Sequence, residues 1–269
     1  MSTSESRARS EELPPPPDVS HLVTEDDTPV DNFCSEKQQR LLIEPLYSNW
    51  QAPGATPFLA AANVGVYASI HKPPVVPDAM ISLDVQVPHD WWEKHNRCYF
   101  LWEFGKPPDL ALEIVSDRDG LELSAKLRQY ARIAVRYYVV YDPARQLSDE
   151  PLQCFALREG DYELLDRPWF ERLGLGLALH RGVFEQREDQ WLRWVDADGV
   201  PIATGAERAE SEKARAESEK ARAESEKARA ESEKARAESE KARAESERAR
   251  AEKLAARLRA AGIDPDADS

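Results

Sequence analysis

At 269 residues the chain can form one sizeable α/β domain and still leave an extended segment. Its formal net charge is −14; residues 207–269 sum to −1 by count, so the first 206 carry about −13. An acidic body argues against a simple basic nucleic-acid surface, although a carboxylate site that binds divalent cations would reverse the sign locally.

Cys34, Cys98 and Cys154 are widely separated, without CxxC or Cys/His ligand spacing. That pattern speaks against a zinc site or a disulfide framework and for a reducing cytoplasm. No run approaches 18 apolar residues and no signal-peptide-like apolar core opens the chain, so a soluble cytoplasmic protein without membrane association is expected.

Residues 1–28, with four consecutive prolines at 14–17, read as a disordered tail. Ser35 followed by Gln38 has the form of a capping box opening a helix to about Tyr47, with Leu41, Leu42, Ile43 and Leu46 as its apolar side. Glu36 and Glu44 lie on that helix, either as solvated carboxylates or, for Glu36, as a residue at the edge of a site. Phe58–Tyr67 predicts a strand continued by Ser69–Lys72, and lone His71 has no ligand partner in sequence. Met80–Val87 alternates, with Ile81, Leu83, Val85 and Val87 on one face and Ser82, Asp84 and Gln86 on the other. His89–Asn96 reads as a loop, and Arg97–Phe104 as a strand ending before Gly105.

The stretch 107–143 reads as strand, loop, helix, strand. In Asp109–Val115, Leu110, Leu112 and Ile114 point one way while Asp109, Ala111 and Glu113 point the other. After the loop Ser116–Gly120, Leu123, Leu127, Tyr130, Ala131 and Ala134 form one helical stripe, and Lys126 lies on its edge. Val135–Tyr141 predicts a buried strand, parallel to the first through a right-handed crossover. The lysine would therefore lean towards a strand carboxylate.

Asp109 and Glu113 share a face but stand roughly 13 Å apart at about 3.3 Å per residue, too far to share one ion. A neighbouring strand lies only about 4.8 Å away, so Asp84 pairs with Glu113 if the register allows. Two carboxylates suit Mg²⁺, and the lysine would orient or deprotonate water or neutralise a phosphate, which is the chemistry of phosphodiester hydrolysis.

These blocks carry a family resemblance. SEKQQRLLIEPLYSNW, PPVVPDAMISLDVQVP, YFLWEFGKPPDLALEIVS and AKLRQYARIAVRYYVVYDP together resemble the Uma-two family of endonucleases, within the restriction-endonuclease-like, PD-(D/E)xK superfamily. The resemblance spans about residues 30–200 and the coiled tail beyond. It implies an α/β fold, a restriction-endonuclease-like mixed sheet flanked by helices, followed by a long charged C-terminal helix or coiled coil. It also implies a Mg²⁺- or Mn²⁺-dependent DNA endonuclease. In the superfamily the first acid begins one strand, the second lies in the next, and a lysine normally follows two residues later. By this resemblance Asp84 takes the first acid's place, Glu113 the second's, and both are metal ligands. Val115 replaces the usual lysine, and Lys126 on the following helix supplies it. Asp109 matches a PD dipeptide and is placed at the site's edge. The second reading is a non-catalytic nuclease-like scaffold that recruits partners.

Beyond Pro143, Leu152–Leu157, Asp161–Leu165, Gly176–His180 and Gln190–Val195 read as an antiparallel extension of the sheet. Gly174 and Gly176 lack the third glycine of a phosphate cradle. From Ala209 the motif AESEKAR recurs, seven heptads in all, predicting a helix whose seam is Ser and Ala and buries little. Self-association or a partner protein would meet the molecule there, with DNA as the partner of the folded part. The predicted organisation is a tail over 1–28, a nuclease-like domain over 29–205, the heptad helix over 206–261 and an acidic disordered end over 262–269.

Overall fold

The computed structural model describes residues 17–24, 32–116 and 122–261. The tail at 1–16, most of the loop after Ser116 and the acidic end therefore lie outside the described residues. The chain divides into two compact units, Met1–Gly205 and Ala206–Ser269.

In the first unit, helix α1 (Phe33–Ser48) precedes strands β1 (Phe58–Ala61), β2 (Val66–Tyr67) and β3 (Ala79–Leu83). Strand β4 (Tyr99–Phe100) runs into the short helix α2 (Leu101–Phe104), then β5 (Leu110–Ile114) follows. A π-helical turn (Glu122–Lys126) leads into α3 (Leu127–Arg132), and β6 (Tyr137–Tyr141) completes the crossover. After it come β7 (Leu152–Arg158), β8 (Asp161–Leu164), β9 (Trp169–Phe170), β10 (Leu175–Phe184) and β11 (Arg187–Val195). The second unit contains α4, which begins at Gly205 and continues to Ala260.

Six strands form a mixed sheet in the order β1-β3-β5-β6-β7-β8. The β5–β6 pair is parallel, as a helical crossover requires; the other pairings of this sheet are antiparallel. β5 and β6 are buried throughout, because both of their faces are covered. On one side Leu110, Leu112 and Ile114 join Leu42 and Leu46 of α1 and Leu175, Leu192 and Trp194 of the β11-β10-β9 sheet. On the other, Ala111 and Val115 meet Tyr130, Tyr138, Leu123 and Leu127. The alternation predicted for β5 therefore holds, and it sends Glu113 towards α3.

Several boundaries differ from expectation, each for a local reason. Asn32, not Ser35, caps α1, its side chain accepting the Ser35 N–H at 2.9 Å. The strand expected over Phe58–Tyr67 breaks at Asn63, whose φ is +54°. β3 stops at Leu83 because Asp84 takes a left-handed φ of +59°, so the run to Val87 is not a single strand. The strand expected over Arg97–Phe104 turns helical after Phe100 and ends at left-handed Gly105. β9, β10 and β11 form a sheet of their own instead of extending the first. The expected disordered tail also gives way over 17–24, where Val19 and Leu22 are buried against Tyr67, Cys98 and Phe100.

No described helix is long and apolar enough to cross a membrane.

Candidate active site

Glu113 is the centre of the site, 2% exposed in the middle layer of the fold. Its Oε2 accepts from Lys126 Nζ at 2.9 Å and its Oε1 from the Tyr130 hydroxyl at 2.6 Å. Both donors come from the helical segment after β5. Glu122, Lys126 and Tyr130 are spaced four apart, so they line one side of that segment and face the strand. Lys126 Nζ also reaches Glu122 Oε1 at 3.3 Å. The Tyr130 ring stacks on Tyr138 of β6 with centroids 4.9 Å apart, which fixes the hydroxyl's direction.

Burial pushes the Glu113 carboxyl up to about 7, against the pull of Lys126; the Asp78 charge pushes the same way and the Tyr130 bond opposes it. Burial works against the Lys126 ammonium, but Glu113 and Glu122 outweigh it and hold the lysine above its ordinary value. The amine is therefore a firmly protonated cation beside a carboxyl poised near neutrality.

The acid opposite Glu113 is Asp78. β3 and β5 are antiparallel, with Ala79↔Leu112, Met80↔Ala111 and Ile81↔Leu110 as partners. One step further the same register brings Asp78 across from Glu113. Asp78 is buried; its Oδ2 accepts the Ile114 N–H at 2.6 Å and its Oδ1 accepts from Gln39 Nε2 of α1 at 2.7 Å.

The structure thus brings Glu113 and Lys126 together and does not bring Asp84 to them. In this register Asp84 falls opposite Pro107, six residues from Glu113 and roughly 20 Å along the strand. Its exposed carboxylate instead pairs with Arg172 at 2.8 Å. The same guanidinium holds Asp109 Oδ1 at 2.6 Å, while Asp109 Oδ2 accepts the Leu83 N–H at 2.8 Å and also binds Lys106. Asp109 therefore locks the end of β3 to the start of β5, at the far end from Glu113. Glu36 ion-pairs with Arg40 at 2.8 Å, one turn along the half-exposed face of α1.

Asp78 has a readable signal that the alternation hid. The dipeptide Pro77-Asp78 stands immediately before β3, where a first acid that begins a strand belongs. Asp84 reads as mid-strand only if the strand runs on to Val87, and β3 ends at Leu83.

Asp78 and Glu113 are the carboxylates that would hold a hard cation here, one that takes one or two protein oxygens and completes its shell with water and phosphate. Glu122 Oε2, on the same helical segment, is buried without a hydrogen-bond partner. Among the described residues no cluster of three or more His, Cys, Asp or Glu is gathered as a ready-made cation cage.

The Uma2 family model, described as "Putative restriction endonuclease", matches residues 26–182, more than half of the chain and all of the elements just described from α1 to β6. No curated protein matches it.

Proposed function

The chain belongs to the Uma2 family of nuclease-like proteins, and from that membership we propose that its first unit is a divalent-metal-dependent endonuclease hydrolysing DNA phosphodiester bonds. Asp78, Glu113 and Lys126 carry the reaction. The observation that supports this most is the 2.9 Å contact between Lys126 Nζ and Glu113 Oε2, with Asp78 next across the sheet.

Asp78 and Glu113 would hold Mg²⁺ or Mn²⁺, which when bound polarises a phosphoryl oxygen and acidifies water. Lys126, kept protonated by its two carboxylate neighbours, neutralises charge building on the scissile phosphate and is a poor general base. Tyr130 aims Glu113 through its hydroxyl and excludes water from that side of the carboxyl. The three free cysteines suit a reducing compartment, and we place the protein in the cytoplasm.

One observation favours the scaffold reading: both oxygens of Glu113 and both of Asp78 already accept internal hydrogen bonds, as in a purely structural polar core. Supercoiled plasmid incubated with Mg²⁺ or Mn²⁺ separates the two. Nicking by the parent that is lost in Glu113→Gln and Lys126→Ala supports the endonuclease. Nicking that survives both substitutions, or its absence on every DNA form tried, leaves the scaffold.

A further inference from the structure

A cavity of about 530 Å³ in the first unit is lined by aromatic rings. Trp91 and Trp92 form one wall and are 59% and 79% exposed, an unusual position for adjacent indoles on a surface. Tyr99 and Phe104 form another, their rings stacked at 4.2 Å and 6°. The loop carrying the tryptophans is tied in place by its own hydrogen bonds. Arg97 Nε donates to Trp92 O at 2.8 Å, and Asn96 Nδ2 to Asp90 O at 2.9 Å. These bonds hold the backbone that carries the two indoles.

Its position relative to Glu113 follows from the sheet. Met80 lines the cavity and pairs with Ala111, which shares a face with Glu113 two residues on. By strand geometry the Met80 and Glu113 backbones are about 8 Å apart, on one face. Charge allows the approach as well. Residues 89–97 hold two acids and two bases besides His89 and His95, so the loop is neutral on a body that carries about −13.

We propose that this cavity seats an unpaired nucleobase. Single-stranded or frayed DNA, not intact duplex, is then the substrate class of the neighbouring site; the assignment rests on the endonuclease reading above. A planar base stacks on indole whatever its identity, so the pocket selects strand form and not sequence. Duplex DNA must first give up stacking and pairing to enter it.

Binding is measured by anisotropy of fluorescein-labelled oligothymidylate and of a duplex of equal length, on the full chain in EDTA so that nothing is cut. The single strand should bind at least tenfold tighter than the duplex. Trp91→Ala/Trp92→Ala should weaken single-strand binding at least tenfold with an unchanged melting temperature, in keeping with loss of one or more stacked bases. Trp91→Phe/Trp92→Phe, which keeps planar rings, should restore most of it. Equal or tighter duplex binding overturns the proposal, and so does a double alanine variant that binds like the parent. A double alanine variant that changes oligomeric state but not DNA affinity makes the surface a protein interface and overturns it too. Metal-dependent duplex cleavage without oligothymidylate binding removes this pocket and leaves the endonuclease; oligothymidylate binding without cleavage of any substrate does the reverse.

Discussion

Asp78 and Asp84 stand six residues apart and have opposite surroundings, so they test the site more sharply than any single deletion. Asp78 is buried against β5, whereas Asp84 is an exposed partner of Arg172. Asp78→Asn should lower metal-dependent nicking at least a hundredfold, and Asp84→Asn should leave it within about threefold, both read from plasmid time courses. Glu113 adds a pH signature. Its folded carboxyl titrates at about 7 against 4.5 for an ordinary glutamate, so the native state keeps a proton that the unfolded chain has released between those values. Stability must therefore fall as pH rises through that window, by an amount on the order of 3 kcal/mol. A divalent cation needs the ionised carboxylate and competes with that proton. Melting curves should show little gain from Mg²⁺ at pH 5.5 and the largest gain at pH 8, and Glu113→Gln should flatten both trends.

At the scale of elements, β5, α3 and β6 were legible because their patterns are redundant. Period-2 alternation, a helical stripe and a β-branched run all pointed to one parallel crossover, and Glu113 and Lys126 came with it. Register between strands was not legible, because alternation fixes which face a residue takes but not which partner it meets. Ile81, Leu83, Val85 and Val87 kept the right period past the true end of β3, and nothing in that period revealed the left-handed turn at Asp84. The residue that tethers the end of the strand to β5 is Asp109, buried and shared among Leu83 N–H, Lys106 and Arg172. Asp109→Ala strands two cations and an amide, and urea titration should show a loss of about 3–5 kcal/mol. Asp84→Ala removes only the exposed arm of the same cluster and should cost within about 1 kcal/mol. Equal losses would mean that the cluster does not hold β3 to β5.

The molecule as a whole sets a packed α/β unit against a helix with a different source of stability. α4 is 56 residues long, about 84 Å at 1.5 Å per residue, and none of its residues is buried. Its order comes from the helix-forming preference of Ala, Glu, Lys and Arg and from Arg–Glu pairs one turn apart, such as Arg215–Glu219 at 3.0 Å and Arg229–Glu233 at 3.2 Å. The heptad repeat made this helix readable from sequence, but not its partner. A seam of Ser and Ala buries too little apolar area to name one, and Leu254 and Leu258 alone add larger groups. Stability that comes from exposed local pairs should be separable from the sheet. A chain ended after Gly205 should melt within about 2 °C of the full protein and keep its metal-dependent nicking, while losing ellipticity at 222 nm in proportion to the residues removed. Sedimentation of the full chain should give a monomer at micromolar concentration, because each heptad offers only methyl-sized contacts. A dimer that the truncation abolishes would show that the Ser and Ala seam, despite its small side chains, does pair.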